Sequence, residues 1–191
     1  MSVYVKSLFH YPIKGLKAQS LSSAALTKGQ GFPLDRAFGF ALPESGFDPK
    51  NPKPLPKTKF VMLAKNEGLA LLDTHFNQDT QILSIKVAEK IQFFDISINR
   101  GRKDASSFIS DQLGLLRDKK PTLYSAEPHK FTDVSVISPE MMNSVSLINL
   151  DSVEYFSESI GNFVDPGRFR CNILFAGMEP LRELGLVGKQ I

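Results

Sequence analysis

Apolar residues in this chain recur at every second position, in short runs cut by glycine and proline. Period two sends successive side chains to opposite faces of an extended segment, so the pattern selects short strands. At the N-terminus Val3, Val5 and Ser7 fall on one side and Tyr4, Lys6 and Leu8 on the other. Tyr11-Pro12 ends that run, because proline has no N–H to give a ladder. Lys14-Gly15 reads as a turn, residues 18–26 as a second strand, and Gly29-Gln30-Gly31 as the next turn. Residues 36–42 read as a third strand, with Phe38 and Phe40 on one face and Ala37 and Ala41 on the other. Residues 81–87 and 91–96 form a strand pair, and 121–125 and 144–148 are strand-like. Residues 168–175 alternate most strictly of all.

Helical spacing is rarer. Met62, Leu69, Leu72 and Phe76 are placed for one face of a helix that would also carry His75, although Gly68 weakens it. Asp104 is a candidate N-cap for a helix bearing Ile109, Leu113 and Leu116. Asn149 can cap another, with Leu150, Val153, Phe156 and Ile160 as its apolar stripe and Gly161 just past its end. Residues 179–184 fit a short helical turn. Many short strands with scattered helices predict an α+β fold, with mostly antiparallel, barrel-like sheets and a few short helices.

Between residues 43 and 59 the periodicity collapses. Five of the chain's 12 prolines fall there with several lysines, which predicts a stiff exposed loop. Glu127-Pro128-His129 reads as a linker and divides the chain into residues 1–126 and 127–191. With 191 residues the chain can bury a core without staples. Its one cysteine, Cys171, excludes an internal disulfide. A formal charge of +3 is too small to argue for nucleic acid. The two basic runs, Arg100, Arg102, Lys103 and Arg117, Lys119, Lys120, read as solvated faces beside a helix. No secretory leader and no apolar run of the ~20 residues a membrane helix needs is present, so neither a membrane nor nucleic acid is expected as partner and the cytoplasm is the expected compartment.

The chemistry concentrates in residues 168–175. Alternation sets Phe169, Cys171, Ile173 and Phe175 on one face and Arg168, Arg170 and Asn172 on the other. Two readings of that polar face stand open. It is an anion or polar-ligand site gripped by guanidinium forks, or it is a solvated face paired with acids such as Asp165. Cys171 falls among large apolar residues, where a thiol behaves as a small hydrophobe with a raised pKa, a poor nucleophile and a poor metal ligand. His10, His75 and His129 lie far apart without metal-ligand spacing. No P-loop, dinucleotide glycine fingerprint or serine-nucleophile elbow occurs. On residues alone no enzyme class can be named.

Several short stretches, in their order and spacing, resemble the MOSC family of molybdenum-cofactor proteins. Tyr11-Pro-Ile-Lys-Gly-Leu16 resembles the start of that family's N-terminal β-barrel domain. Gly31-Phe-Pro-Leu-Asp-Arg36 is similar to its Gly-x-x-x-Asp-Arg turn. Residues 145–152, 165–172 and 180–188 resemble the opening of the MOSC domain proper. The resemblance implies a molybdenum cofactor (molybdopterin) held between two sub-domains. Lys14, Gly15 and Arg36 would approach it from the first, and Asn149, Arg168, Arg170 and Asn172 from the second. It implies a reductase of N-hydroxylated compounds or a sulfur-transfer protein, with a redox partner protein; the family is also associated with pyridoxal phosphate. The family's molybdenum-ligating cysteine lies downstream of the segment that residues 187–191 resemble, and Cys171 cannot stand in for it. The chain as given is therefore expected to be truncated, to bind metal poorly, and to leave its second barrel open with exposed edges, with a homodimer as one compensation. The alternative from another class is a non-catalytic binding module for a phosphorylated small molecule or a partner protein. The expected geometry is that Arg168 and Arg170 share one polar side and converge with Lys14 and Arg36, while the thiol of Cys171 points inward.

Overall fold

The computed structural model describes residues 2–190; Met1 and Ile191, the outermost residues of the two terminal segments read above, lie outside them. Nine strands and three α-helices occur among the described residues, with short 3-10 turns between them. In chain order they are β1 (Tyr4–His10), β2 (Gln19–Leu21), β3 (Phe38–Ala41), β4 (Asp73–Asn77), β5 (Ile82–Val87), β6 (Lys90–Asp95), α1 (Asn99–Gln112), β7 (Thr122–Ser125), α2 (Pro139–Met142), β8 (Leu147–Asn149), α3 (Leu150–Ser159) and β9 (Ile173–Ala176).

The fold is α+β, as the short alternating runs predict. Its sheets are three: β2-β1-β9-β8, β3-β7 and the meander β4-β5-β6. All pairings are antiparallel except β8 with β9. Among the described residues no ladder closes these sheets into a barrel. The first sheet matters most for function. It lays the N-terminal strand β1 against β9 near the C-terminus, with Leu8 opposite Ile173, so the turn after β1 meets the segment before β9.

The main core lies between the meander, α1 and the β3-β7 pair. Phe40, Leu83, Ile85, Ile96 and Ile109 are fully buried in it. Ser106 Oγ donates to the Arg102 carbonyl and accepts from the Leu123 N–H, which ties α1 to β7. A second, aromatic cluster joins Phe47, Phe60 and Phe131, with ring centroids 5.1 to 6.0 Å apart. Phe47 comes from the proline-rich segment, which is otherwise exposed and holds only two 3-10 turns. His129, from the stretch read as a linker, and Ala126 and Phe131 on either side of that stretch are buried in the same region.

Four expectations are corrected. Residues 62–76 are not a helix: a 3-10 turn at Glu67–Leu71 leads into β4, so His75 sits on a strand. The spacing of Leu69, Leu72 and Phe76 is compatible with a helix seam, but Asn77 Oδ1 accepts the N–H groups of Asp79 and Thr80 and turns the chain into a hairpin. Strand pairing of Phe76 with Leu83 then decides the conformation. Asp104 does not start α1, which begins at Asn99 with no side-chain cap and leaves Leu116 exposed beyond its end. Nor is 168–175 one strand. Asp165 Oδ1 accepts the Gly167 N–H at 2.8 Å, and Pro166 is pre-set for the first position of a 3-10 turn that runs to Phe169. The strand starts only at Ile173. The expected second strand shrinks likewise to Gln19–Leu21. Asn149 does cap α3, accepting the Asp151 N–H, and Gly161 follows its end at positive φ. None of the described helices is long and apolar enough to cross a membrane.

Two buried histidines set a pH dependence. Burial pushes both His10 and His129 below the ordinary value of 6.5, with the Pro33 carbonyl and Asp35 opposing it at His10. Below about pH 6.5 the unfolded chain takes up protons that the folded chain refuses, so stability falls as pH drops through that window. Urea denaturation midpoints are expected to decline steadily from neutral pH to about pH 5, and less so in His129→Phe. Identical slopes in the two proteins would show that His129 carries none of it.

Candidate functional site

Beyond β1 the chain turns sharply through Tyr11, Pro12, Ile13, Lys14 and Gly15. Its backbone is stitched to the next segment, with the Arg36 N–H donating to the Tyr11 carbonyl at 2.7 Å and the Lys14 N–H to the Phe38 carbonyl at 2.9 Å. Gly15 has φ +84°, and a Cβ there would meet the Val61 carbonyl oxygen at 3.3 Å. Arg36 and Arg170 both adopt left-handed backbone, with φ 51° and 53°. Non-glycine residues pay for that conformation, and such strain gathers at sites where side-chain placement matters.

The two guanidinium groups meet on one ring. Each guanidinium carbon lies 4.3 Å from the centroid of Tyr11. Arg36 Nη2 donates to the Arg170 carbonyl at 3.0 Å, and Arg36 also pairs with Asp35. Asp35 is buried and accepts the Tyr11 N–H at 2.9 Å. Arg170 Nη2 donates to the Leu16 carbonyl at 2.8 Å. Of five guanidinium donors that is the one Arg170 places on the described residues. Among those residues His10 Nε2 is the buried side-chain polar atom left without a partner, so Nε and Nη1 of Arg170, which borders the cleft, keep some exposure.

Lys14 forms the floor. Its ammonium is buried and donates to the Phe131 carbonyl at 2.9 Å and to Asp133, whose other oxygen lies 3.7 Å from Lys57 Nζ. Burial pulls Lys14 below its usual value, against the Asp133 hydrogen bond and charge. Burial would raise the Asp133 carboxyl, but the hydrogen bond and charge of Lys14 outweigh it and hold Asp133 below the usual range. Burial, then the neighbouring Arg36, lowers Arg170. Burial raises Tyr11 against both arginines, so the phenol stays neutral.

Lys14, Gly15, Arg36, Arg170 and Asn172 all line one open cleft of about 550 Å³, with Asp35, Lys57, Asp133 and Ser146. Four cations and two carboxylates leave it doubly positive. The Asn172 amide is spent on structure: Oδ1 accepts from Ser146 N–H and Oγ, and Nδ2 donates to the Phe9 carbonyl. Arg168 and Asn149 are not in this cleft. The 3-10 turn sends Arg168 to a neighbouring cavity of about 460 Å³, which Arg170 and Cys171 also line. Arg170 thus borders both spaces, and Arg168 meets it only at the second, away from Lys14 and Arg36. Asn149 is fully buried and its Nδ2 donates to Ser152, Glu183 and the carbonyls of Met178 and Glu179. Cys171 is buried, and burial raises its thiol. Among the described residues no group of three His, Cys, Asp or Glu side chains is placed to hold a metal ion.

Sequence reasoning missed Tyr11, Asp35, Lys57 and Asp133 as parts of the site. Tyr11 and Asp35 stand inside the two motifs quoted above, next to residues that were chosen. Nothing local marks Lys57 or Asp133.

No curated protein and no solved structure matches the chain. A family model does, that of the MOSC N-terminal beta barrel domain, over residues 2–120. The matched segment supplies Tyr11, Lys14, the Asp35–Arg36 pair and Lys57, while Arg170 and Asp133 lie beyond it. Since that match spans well over half of the chain, the protein belongs to the MOSC family.

Proposed function

We propose that the cleft binds the phosphate-bearing end of a small molecule, and that in this family member the molecule is a molybdopterin cofactor. The carrying observation is the convergence of Lys14, Arg36 and Arg170 on one cleft, with Arg36 and Arg170 in contact across 134 residues of chain. Donors aimed into a recessed cleft bind phosphate oxygens by charge-assisted bonds. Lys14, Arg36 and Arg170 would hold the phosphate, and Tyr11 would keep both guanidinium planes oriented. When bound, such a cofactor supplies redox or sulfur-transfer chemistry, and the protein's part is to position it. The same reading treats residues 1–126 and 127–191 as the two parts that meet at the cleft. The described residues offer no thiolate to that cleft, so no step at a metal follows from them.

Calorimetric titration with inorganic pyrophosphate tests the reading. The wild type should bind it, with affinity falling as salt rises. Arg170→Ala should bind roughly 10- to 100-fold more weakly, since hydrogen bonds to charged groups contribute about 1.5–3 kcal/mol. Absence of binding in the wild type at millimolar pyrophosphate would refute it. A second reading, a non-catalytic module for a phosphorylated small molecule, draws on the burial of Cys171 away from the cleft. Molybdenum analysis after exposure of the protein to the intact cofactor separates the two.

A further inference from the structure

The cleft holds two carboxylates, and they are built differently. Asp35 is almost sealed, with 6% of its side chain exposed, and it is held by Arg36 and by the Tyr11 N–H. Asp133 has 55% of its side chain exposed, while its partner Lys14 has 7%. Asp133 also begins a one-turn 3-10 helix, Asp133–Val136, that has no side-chain cap. Lys57, the second cation on Asp133, is 54% exposed.

We infer that Asp133 is an internal counter-ion of the cleft, which occupies Lys14 when no ligand is bound and must move off it when an anion enters. This rests on the anion-binding reading above. The exposures decide which partner moves. A buried ammonium cannot recover its hydration, so Lys14 needs an anion beside it at all times. A half-exposed carboxylate rehydrates at small cost. An incoming phosphate and the Asp133 carboxylate therefore compete for the same ammonium protons, and the two negative charges repel while both are near. Asp35 cannot exchange in this way, because leaving Arg36 would strand it buried. The cleft thus rejects weak anions that cannot outbid its own carboxylate, and Asp133 sets that threshold.

Titration of wild type and Asp133→Asn with inorganic pyrophosphate, at matched pH and ionic strength, tests this. Asp133→Asn is expected to bind about tenfold more tightly, which is the scale of one removed like charge at close range. Amide resonances of residues 132–136 in the wild type are expected to shift as pyrophosphate saturates. Equal or weaker binding by the variant, with the wild type binding, would overturn the inference and leave the anion cleft standing; Asp133 would then merely orient Lys14. If the variant does not fold, the wild-type titration decides: saturation with the 132–136 amides unmoved overturns the inference. If neither protein binds pyrophosphate, the anion cleft itself falls and this inference with it.

Discussion

Arg36→Ala is expected to cost about 3 kcal/mol of folding stability as well as the binding of pyrophosphate, since removing one partner of a buried ion pair leaves the other charge uncompensated. Asp35 is the charge left behind. It sits at 4% exposure, and its remaining hydrogen bond is the Tyr11 N–H. That bond places the cost at the lower end of the ~3–5 kcal/mol measured for such deletions. In a chain of this size each kcal/mol moves the thermal midpoint by about 2–4 °C, so a fall of roughly 6–12 °C follows. The double variant Asp35→Asn, Arg36→Ala removes the stranded charge, and should recover much of the midpoint while still failing to bind pyrophosphate. This separation of stability from binding is the informative result. Were the single variant as stable as the wild type, the Asp35–Arg36 pair would be a surface contact, and the burial that organises the cleft would be wrong.

Gly101→Ala is expected to be more damaging still. Alanine at an ordinary helical position is favoured over glycine by about 1 kcal/mol. Here the sign reverses. A Cβ on Gly101 would lie 1.9 Å from the Asp95 carbonyl oxygen and 2.6 Å from its carbon, and both are backbone atoms that no rotamer change can move. The first turn of α1 rests directly on the end of β6, and that contact seats Ala105 and Ile109 in the core. Accommodating the methyl group would lift the helix off the meander, at a cost on the order of 4 kcal/mol or more. Against a typical total of about 5–15 kcal/mol, much of the population would unfold. Gly68→Ala is the control, since its Cβ meets only the Leu113 side chain at 3.6 Å. Denaturant midpoints should separate the two variants widely, and a Gly101→Ala protein melting with the wild type would mean that α1 does not pack there.

The same glycine explains a boundary that the sequence misplaces. Asp104 looks like a helix start because it is the residue of capping type before a run of helically spaced apolar side chains. The helix actually begins five residues earlier, where Gly101 permits an approach that a Cβ forbids, and Asp104 pairs with Arg100 inside it at 3.8 Å. The missing side chain at 101 is visible in the sequence, but the strand it must touch is not.

At the cleft the division is similar. Lys14, Gly15 and Arg36 were legible because turn chemistry and motif order sit in contiguous residues. Asn149 was legible as a cap for the same reason, although capping is what its side chain does. Arg168 and Arg170 were paired by a period-two argument that holds only for extended backbone. One carboxylate, Asp165, curls residues 166–169 into a 3-10 turn, so Arg168 lines only the neighbouring cavity while Arg170 lines both that cavity and the cleft.

What the sequence determined by itself is local: short strands from alternation, turns from glycine and proline, the α3 cap from Asn149, and an apolar, buried place for Cys171. Each depends on residues within a few positions of one another, where backbone sterics and hydrogen-bonding reach suffice. What only the tertiary structure decided is the meeting of Tyr11, Arg36, Arg170, Lys14 and Asp133. Their convergence comes from β1 pairing with β9 and from Phe131 returning to the core beside Lys14, contacts between segments more than a hundred residues apart. No local rule carries that information, because side-chain burial and ion pairing depend on which surfaces come together and not on the order in which the chain presents them.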